Sequence, residues 1–192
     1  MRLPLLSPET LSDDHRALYD DMRAGIEAHF TGFTSIAPDG ALVGPWNPTL
    51  HWPKFGKPWW YYTKALGTDP LLPKPVREVA ILVVGARFKA RYELYAHVAV
   101  GEKVGLAETK IATIVAGQRP VDLSREEAVA YDVAYALAAG GILPDATWRS
   151  AVDTFGRDAT AELLYLVAGY CLVSVILNGF DVPVPNPDGT SE

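Results

Sequence analysis

Apolar residues recur at helical spacing along most of the chain, and the first clear case lies near the N-terminus. Leu18, Met22 and Ile26 are four residues apart, which places them on one face of a helix. Ser12 precedes them as a predicted N-cap, so we expect an amphipathic helix that ends at about His29. This helix forms most of an N-terminal element over residues 1–30.

The second half of the chain predicts four further helices. Ser124 and Glu127 have the capping-box spacing, and the helix that they begin is expected to reach about Ala139. The others are predicted over residues 106–116, 145–156 and 158–178. No segment shows a convincing alternation of apolar and polar residues, and no repeat of fixed period occurs. The predicted fold class is all-α, with residues 1–192 forming a single domain.

Between these regions the pattern is interrupted by glycine, proline and aromatic residues. Residues 31–48 are rich in glycine and proline and predict a long irregular loop. Pro53 and Pro58 are expected to limit any helix to short pieces until about Gly67. The aromatic residues of this region form either a core wall or a π-rich pocket lining, and the two are compatible. They are Trp46, Trp52, Phe55, Trp59, Trp60, Tyr61 and Tyr62.

The stretch from Leu72 to Leu106 carries the candidate chemistry. Its prolines at positions 73 and 75 favour a helix start, and an apolar run follows. Glu93 and His97 are four residues apart, so on a helix they share one face. A carboxylate beside an imidazole is the pair that proton-transfer chemistry most often uses. The alternative is an exposed pair on a solvated face, which the apolar residues around it disfavour.

A third acidic residue, Glu78, can join this pair only if the chain turns. In one straight helix Glu78 and Glu93 would lie about 22 Å apart along the axis. We therefore predict a helix over residues 75–88, a break over 89–92 near the weak helix former Gly85, and a second helix over 92–104. The second helix is expected to fold back so that His97 approaches Glu78. Otherwise Glu78 only compensates the dipole of its own helix.

Composition narrows the class of protein. The formal net charge of −6 argues against nucleic-acid and anionic-membrane partners, which favour basic faces. The apolar run 163–177 contains Tyr165, Tyr170 and Ser174, falls short of the ~18 residues of a spanning helix, and is expected to be a buried core helix. No export signal is visible and Cys171 is the single cysteine, so we expect a cytoplasmic protein without disulfides. No spacing predicts a metal site.

Three segments together resemble one family. They are GPWNPTLHWP (44–53), PVREVAILVVGARFKARYELYAH (75–97) and ELLYLVAGYCLVSVILNGFDVPVP (162–185), with Gly-Leu at 105–106 between the last two. Over residues 44–185 the chain is similar to the carboxymuconolactone decarboxylase family, whose superfamily includes alkylhydroperoxidase D. The Arg-Glu pair at 77–78 and the Glu-x-x-x-His motif at 93–97 are the markers that carry this resemblance.

The resemblance implies a fold, an assembly and a chemistry. It implies an alkylhydroperoxidase D-like helical bundle that forms a homo-oligomer, a trimer or a hexamer, with sites near subunit interfaces. Glu78 matches a family acid and His97 the family histidine. Ala90 and Glu93 stand where the peroxidase branch has its two redox cysteines, so a thiol peroxidase is disfavoured.

We therefore expect a cofactor-free acid/base enzyme acting on a small organic acid or lactone through an enolate-like intermediate. His97, Glu93 and Glu78 are the expected catalytic residues, and no metal is expected. The alternative is a non-catalytic, oligomeric ligand-binding protein of the same fold. The expected substrate-binding residues are tyrosine and arginine side chains beside the pair and members of the aromatic region: Tyr92, Tyr95, Arg91, Trp46, His51 and Trp59.

Overall fold

A computed structural model describes residues 1–186, and this part of the chain is all-helical without β-strands. A 3₁₀ turn (Pro8–Thr10) comes before the α-helices. These are α1 (Asp13–His29), α2 (Trp46–His51), α3 (Pro53–Gly67), α4 (Lys74–Phe88), α5 (Arg91–Lys103), α6 (Glu108–Val115), α7 (Arg125–Ala138) and α8 (Asp145–Gly179). The all-α prediction is confirmed. The proline-rich sequence of residues 182–192 predicts an extended tail, part of which lies outside the described residues.

Helix α4 lies at the centre of the fold and packs against α5, α6, α7 and α8. Pro73 precedes the helix and Pro75 lies in its first turn, where a missing N–H costs no helical hydrogen bond. The run from Val79 to Val84 is almost completely buried, which explains its lack of a polar face. We call the cluster around it the α4 core. Other members are Leu163, Leu166 and Val167 of α8 and Val133 of α7.

The chain turns between α4 and α5 as predicted. Lys89 follows α4 in the left-handed conformation (φ 53°), and the Ala90 N–H donates to the Gly85 carbonyl at 3.0 Å. Gly85 itself is helical, so the break lies four residues beyond it. A Cβ on Gly85 would stand 3.1 Å from Leu94 Cδ2 and 3.4 Å from Glu93 Cγ. The glycine therefore allows α4 and α5 to pack closely.

The aromatic region is more helical than predicted. Helix α2 begins inside the predicted 31–48 loop, and α3 continues through Pro58 for 15 residues. The prediction of short helical pieces was wrong because Pro58 removes only one hydrogen bond, while burial of Trp59 and Trp60 stabilises the helix. These side chains belong to a second cluster, the aromatic core, with Trp46, Leu50, Met22, Ile26 and Tyr92.

Helix α8 combines the last two predicted helices. Gly156 has non-helical angles (φ 78°, ψ 172°), so the expected break is present within a continuous element. Residues 163–180 carry no charge, and α8 is long and apolar enough to cross a membrane by length and composition alone, contrary to the length argument above. A buried core helix passes the same test, and α8 packs along α4 and α7.

Candidate functional site

The return of α5 onto α4 brings three predicted residues together. His97 Nδ1 lies 2.7 Å from Glu78 Oε2, and His97 Nε2 lies 3.3 Å from Glu93 Oε1. All three side chains are largely buried, with exposed fractions of 12% for His97, 10% for Glu78 and 4% for Glu93. We call this group the carboxylate–histidine triad. Since Glu78 is the fifth residue of α4, it lies beyond the first turn and does not act as a helix cap.

The pKa shifts of Glu93 and His97 have identifiable physical causes. Burial raises the pKa of Glu93 to about 7; the positive charge of His97 opposes this shift, and the carboxylate of Glu78 adds to it. Burial lowers the pKa of His97, but Glu78 and Glu93 outweigh it and raise the value to about 8. Glu93 and His97, which both titrate near neutral pH, therefore lie side by side.

Arg77 precedes Glu78 on α4 and is held by hydrogen bonds to residues of neighbouring segments. Its Nη1 donates to Glu162 Oε1 at 2.7 Å and its Nη2 to the Leu66 carbonyl at 2.8 Å. Glu162 also accepts the backbone N–H groups of Leu71 and Leu72. These partly buried hydrogen bonds hold the arginine side chain in place. Its positive charge lowers the pKa of His97, whereas Glu78 raises it. The predicted marker Arg77–Glu78 thus consists of an arginine held by Glu162 and Leu66 and of one triad member.

Tyr170 of α8 is a member of the site that the sequence did not single out. Its ring meets the imidazole of His97 edge to face, with centroids 5.0 Å apart and planes at 89°. Burial, followed by the charges of Glu93 and Glu78, raises its pKa well above the ordinary value. The only sequence signal was a polar residue within the apolar run 163–177, and nothing in the sequence showed which helix it would face.

The expected substrate-binding tyrosines have structural partners instead. Tyr92 donates its hydroxyl proton to the Thr34 carbonyl at 2.7 Å, and the Tyr95 hydroxyl accepts the Thr34 N–H at 3.1 Å. Both hold the 31–45 loop against α5. A Cβ on Gly44, which has a φ of 64°, would stand 2.3 Å from the Tyr92 ring. The Tyr92 hydroxyl proton is therefore used within the fold, and the Tyr95 hydroxyl is held at Thr34 as an acceptor.

The other expected binding residues also lie elsewhere. Arg91 is exposed and pairs with Asp181 at 3.0 Å, because the end of α8 meets the start of α5. His51 Nε2 lies 2.9 Å from the Pro4 carbonyl. Trp46 and Trp59 are buried in the aromatic core, where the Trp46 indole N–H has no hydrogen-bond partner among residues 1–186. These contacts fit the core-wall interpretation of the aromatic region.

A cleft of about 320 Å³ lies between α3 and α8. It is lined by Tyr62, Ala65, Leu66, Thr68, Glu162 and Tyr165. Arg77 bonds to two of these residues, and its charge acts on His97 of the triad. Over residues 1–186, no group of three or more His, Cys, Asp or Glu side chains is arranged to hold a metal ion.

Comparison with protein-family models, with curated proteins and with solved structures gave no match. The resemblance to the carboxymuconolactone decarboxylase family therefore rests on the residues described above. In the structure, Glu78, Glu93 and His97 meet in space although they lie on two helices.

Proposed function

We propose that the protein is a cofactor-free acid/base enzyme similar to carboxymuconolactone decarboxylase, acting on a small organic acid or lactone. The observation that carries this proposal is the contact between His97 and two buried carboxylates, Glu78 and Glu93. Active sites concentrate such perturbed, mutually coupled groups. A carboxyl with a pKa of about 7 is suited to take and return a proton at neutral pH.

The geometry supports distinct roles for the three residues. Glu78 accepts the Nδ1–H of His97 and so directs Nε2 towards Glu93, as the orienting acid of a catalytic triad does. The Glu93–His97 pair then removes a proton from a carbon beside a carbonyl, and the C–H electrons form the enolate. In a decarboxylation, the electrons of the broken C–C bond form the same enolate, CO₂ leaves, and the pair returns a proton to carbon. Glu78 thus acts as an orienting residue.

We further propose the alkylhydroperoxidase D-like fold and a homo-oligomer, a trimer or a hexamer, in the cytoplasm. The helical architecture and the order of the marker residues support the fold. Exposed apolar side chains on one face of α8 support the assembly, because they recur at helical spacing without a partner in the protomer: Tyr165, Leu172 and Val175. The net charge of −6 favours a small-molecule partner over nucleic acid or a membrane surface.

A thiol-dependent peroxidase is disfavoured. Such an enzyme needs an attacking and a resolving sulfur, and this chain has one cysteine. Cys171 lies on α8, half-buried against the α4 core, and burial raises its pKa. A raised pKa reduces the thiolate fraction that peroxide chemistry requires.

A second candidate is a ligand-binding protein without catalysis. It is favoured by the observation that both nitrogens of His97 already face carboxylates and that its side chain is only 12% exposed. In that case the triad is a structural ion pair in a binding wall.

Deuterium exchange tests the enzyme proposal. The protein is incubated in D₂O with α-angelica lactone, an unsaturated γ-lactone, and NMR follows deuterium incorporation and double-bond migration. A carboxylated γ-lactone is tested in parallel for CO₂ release. We expect catalysis by the wild type and a loss of about 10²–10⁴-fold in His97→Ala, with no change in a control, His29→Ala, at an exposed position.

Two results would contradict the enzyme proposal. One is a folded His97→Ala protein with near-wild-type kcat. The other is wild-type protein that turns over none of these compounds while native mass spectrometry shows a bound small molecule, which would favour the binding protein.

A further inference from the structure

Tyr170 has a hydroxyl group without a partner beside the triad. Its ring contacts His97 at 5.0 Å, and its side chain is partly exposed. Among residues 1–186 no hydrogen bond involves its hydroxyl. Polar groups this close to a buried ionisable cluster are normally satisfied by protein, water or a bound molecule. The Tyr170 hydroxyl is therefore available to a molecule that enters the site.

Three tyrosines of the fold, unlike Tyr170, use their hydroxyl groups to hold segments of the chain together. Tyr19 donates to the Gly40 carbonyl, Tyr62 to the Tyr165 carbonyl, and Tyr92 to the Thr34 carbonyl. Each of these hydroxyls holds two segments of chain together. Within residues 1–186 the Tyr170 hydroxyl makes no such bond, and Tyr170 is the one of these four tyrosines whose ring packs on His97.

The surroundings of Tyr170 determine how its hydroxyl acts. It lies within electrostatic reach of Glu93 and Glu78, which disfavour the phenolate, and of Arg77, which favours it less strongly. Burial acts in the same direction as the carboxylates. The phenol is therefore a hydrogen-bond donor throughout the neutral range and has no tendency to become the base.

We propose that Tyr170 is a further catalytic residue, whose O–H donates to the carbonyl oxygen of the substrate. This inference rests on the proposed acid/base function. When the Glu93–His97 pair takes a proton from the adjacent carbon, the C–H electrons move into the carbonyl and place negative charge on its oxygen. Tyr170 keeps its own proton and binds this oxygen more strongly than the neutral carbonyl. A donor that binds the developing charge in this way lowers the barrier.

The proposal narrows the substrate class. The substrate needs an oxygen that gains negative charge within hydrogen-bond reach of α8, and an acidic C–H or C–CO₂⁻ bond next to it towards α5. Lactones, β-keto acids and enolisable esters have this arrangement. The role assigned by sequence to Tyr92 or Tyr95 thus passes to Tyr170, because the hydroxyls of those two bond to Thr34.

The test uses 4-nitrophenolate, whose anionic oxygen on a planar conjugated system imitates an enolate. Its binding to the full chain is followed by visible absorbance. Tyr170→Phe retains the ring that packs on His97 and removes only the hydroxyl. The matched control is Tyr135→Phe on α7, where the side chain is 47% exposed and lies outside the cleft between α3 and α8. Circular dichroism and thermal melting verify that both variants fold.

We expect Tyr170→Phe to weaken 4-nitrophenolate binding by about 10- to 100-fold, the value of one hydrogen bond to a charged acceptor, and Tyr135→Phe to leave it unchanged. Equal affinity of wild type and Tyr170→Phe would overturn the inference, and so would a wild type that does not bind the probe. Catalysis that survives in Tyr170→Phe would overturn it while leaving the enzyme proposal intact. Tyr170-dependent binding without turnover of any lactone would support the donor role and contradict the enzyme.

Discussion

His97 Nδ1 lies 2.7 Å from Glu78 Oε2, although nineteen positions separate the two residues in the chain. The contact exists because α4 ends at Lys89 and α5 folds back along it. In a single straight helix the same residues would be separated by about 28 Å along the axis. The turn at Lys89 is thus the structural element on which the candidate site depends.

Glu78→Gln is expected to lower the pKa of His97. Glu78 is the first of the groups that raise this pKa against the effect of burial, and glutamine removes its charge while retaining a hydrogen-bond acceptor. The measurement is an NMR titration of the His97 ring nitrogens. Glu27→Gln is the control, since Glu27 pairs with Arg23 on the exposed side of α1. An unchanged His97 titration in Glu78→Gln would show that the 2.7 Å contact is not formed in solution.

Much of the triad could be predicted from sequence because its geometry is local. Glu93 and His97 are one helical turn apart, so a helix alone brings them together. The approach of Glu78 to His97 required one further inference, namely that the chain turns between them. The basic residues after Gly85 indicated the approximate position of this turn. The turn itself uses Lys89 in a left-handed conformation, which is unusual for a residue with a side chain and has no clear sequence signal.

The partners of the expected substrate-binding residues could not be predicted, because their geometry is not local. Whether a tyrosine hydroxyl faces a site or a loop depends on contacts between residues far apart in sequence. Tyr92 bonds to Thr34 and Arg91 to Asp181, and neither partner could be inferred from local pattern. Tyr170 reaches His97 across 73 positions for the same reason. Proline signals also misled, because the helix tolerates Pro58 once its tryptophans are buried.

The stability of the protein is expected to fall as pH rises from about 5 to about 8. Both Glu93 and His97 have a raised pKa in the folded state, so the folded protein binds more protons than the unfolded chain in this range. The contribution of Glu93 to folding stability is complete at pH values below its ordinary pKa of 4.5. It is lost as pH rises through the folded-state pKa of about 7. The contribution of His97 to folding stability is lost as pH rises through its folded-state pKa of about 8. The groups that face the pair are Glu78 and Arg77 from α4 and Tyr170 from α8.

Glu93→Gln removes this carboxyl and, with it, one of the groups that raise the pKa of His97. The difference in unfolding free energy between wild type and Glu93→Gln should change by about 3 kcal/mol across the window, with wild type losing stability relative to the variant at higher pH. Urea denaturation at a series of pH values measures it. A difference that stays constant from pH 5 to pH 8 would contradict a raised pKa at Glu93.

Two glycines of α3 offer a matched test of the α2–α3 packing that the sequence did not predict. A Cβ on Gly56 would stand 2.1 Å from the Thr49 carbonyl oxygen, whereas nothing lies within 4 Å of a Cβ on Gly67. We expect Gly56→Ala to destabilise the fold by about 1–3 kcal/mol because backbone must move. Gly67→Ala should be neutral or stabilising by up to about 1 kcal/mol. Equal melting temperatures for the two variants would contradict the close approach of α2 and α3.

The last prediction concerns the exposed face of α8. Tyr165, Leu172 and Val175 are 62%, 46% and 58% exposed, and helical spacing places them on one side of α8. If copies of the chain associate through this face, Leu172→Lys buries a charge at the interface and shifts the protein towards the monomer. Val121→Lys is the control, because Val121 is fully exposed in the loop between α6 and α7 and also loses an apolar side chain.

Light scattering at micromolar concentration measures the outcome. We expect an oligomer for wild type and Val121→Lys, and a larger 20.9 kDa fraction for Leu172→Lys. A wild type that is entirely monomeric would contradict the proposed assembly. A Leu172→Lys protein that remains oligomeric, with unchanged circular dichroism, would place the interface on another surface, because an unpaired lysine buried between two copies of α8 costs several kcal/mol and would not be tolerated there.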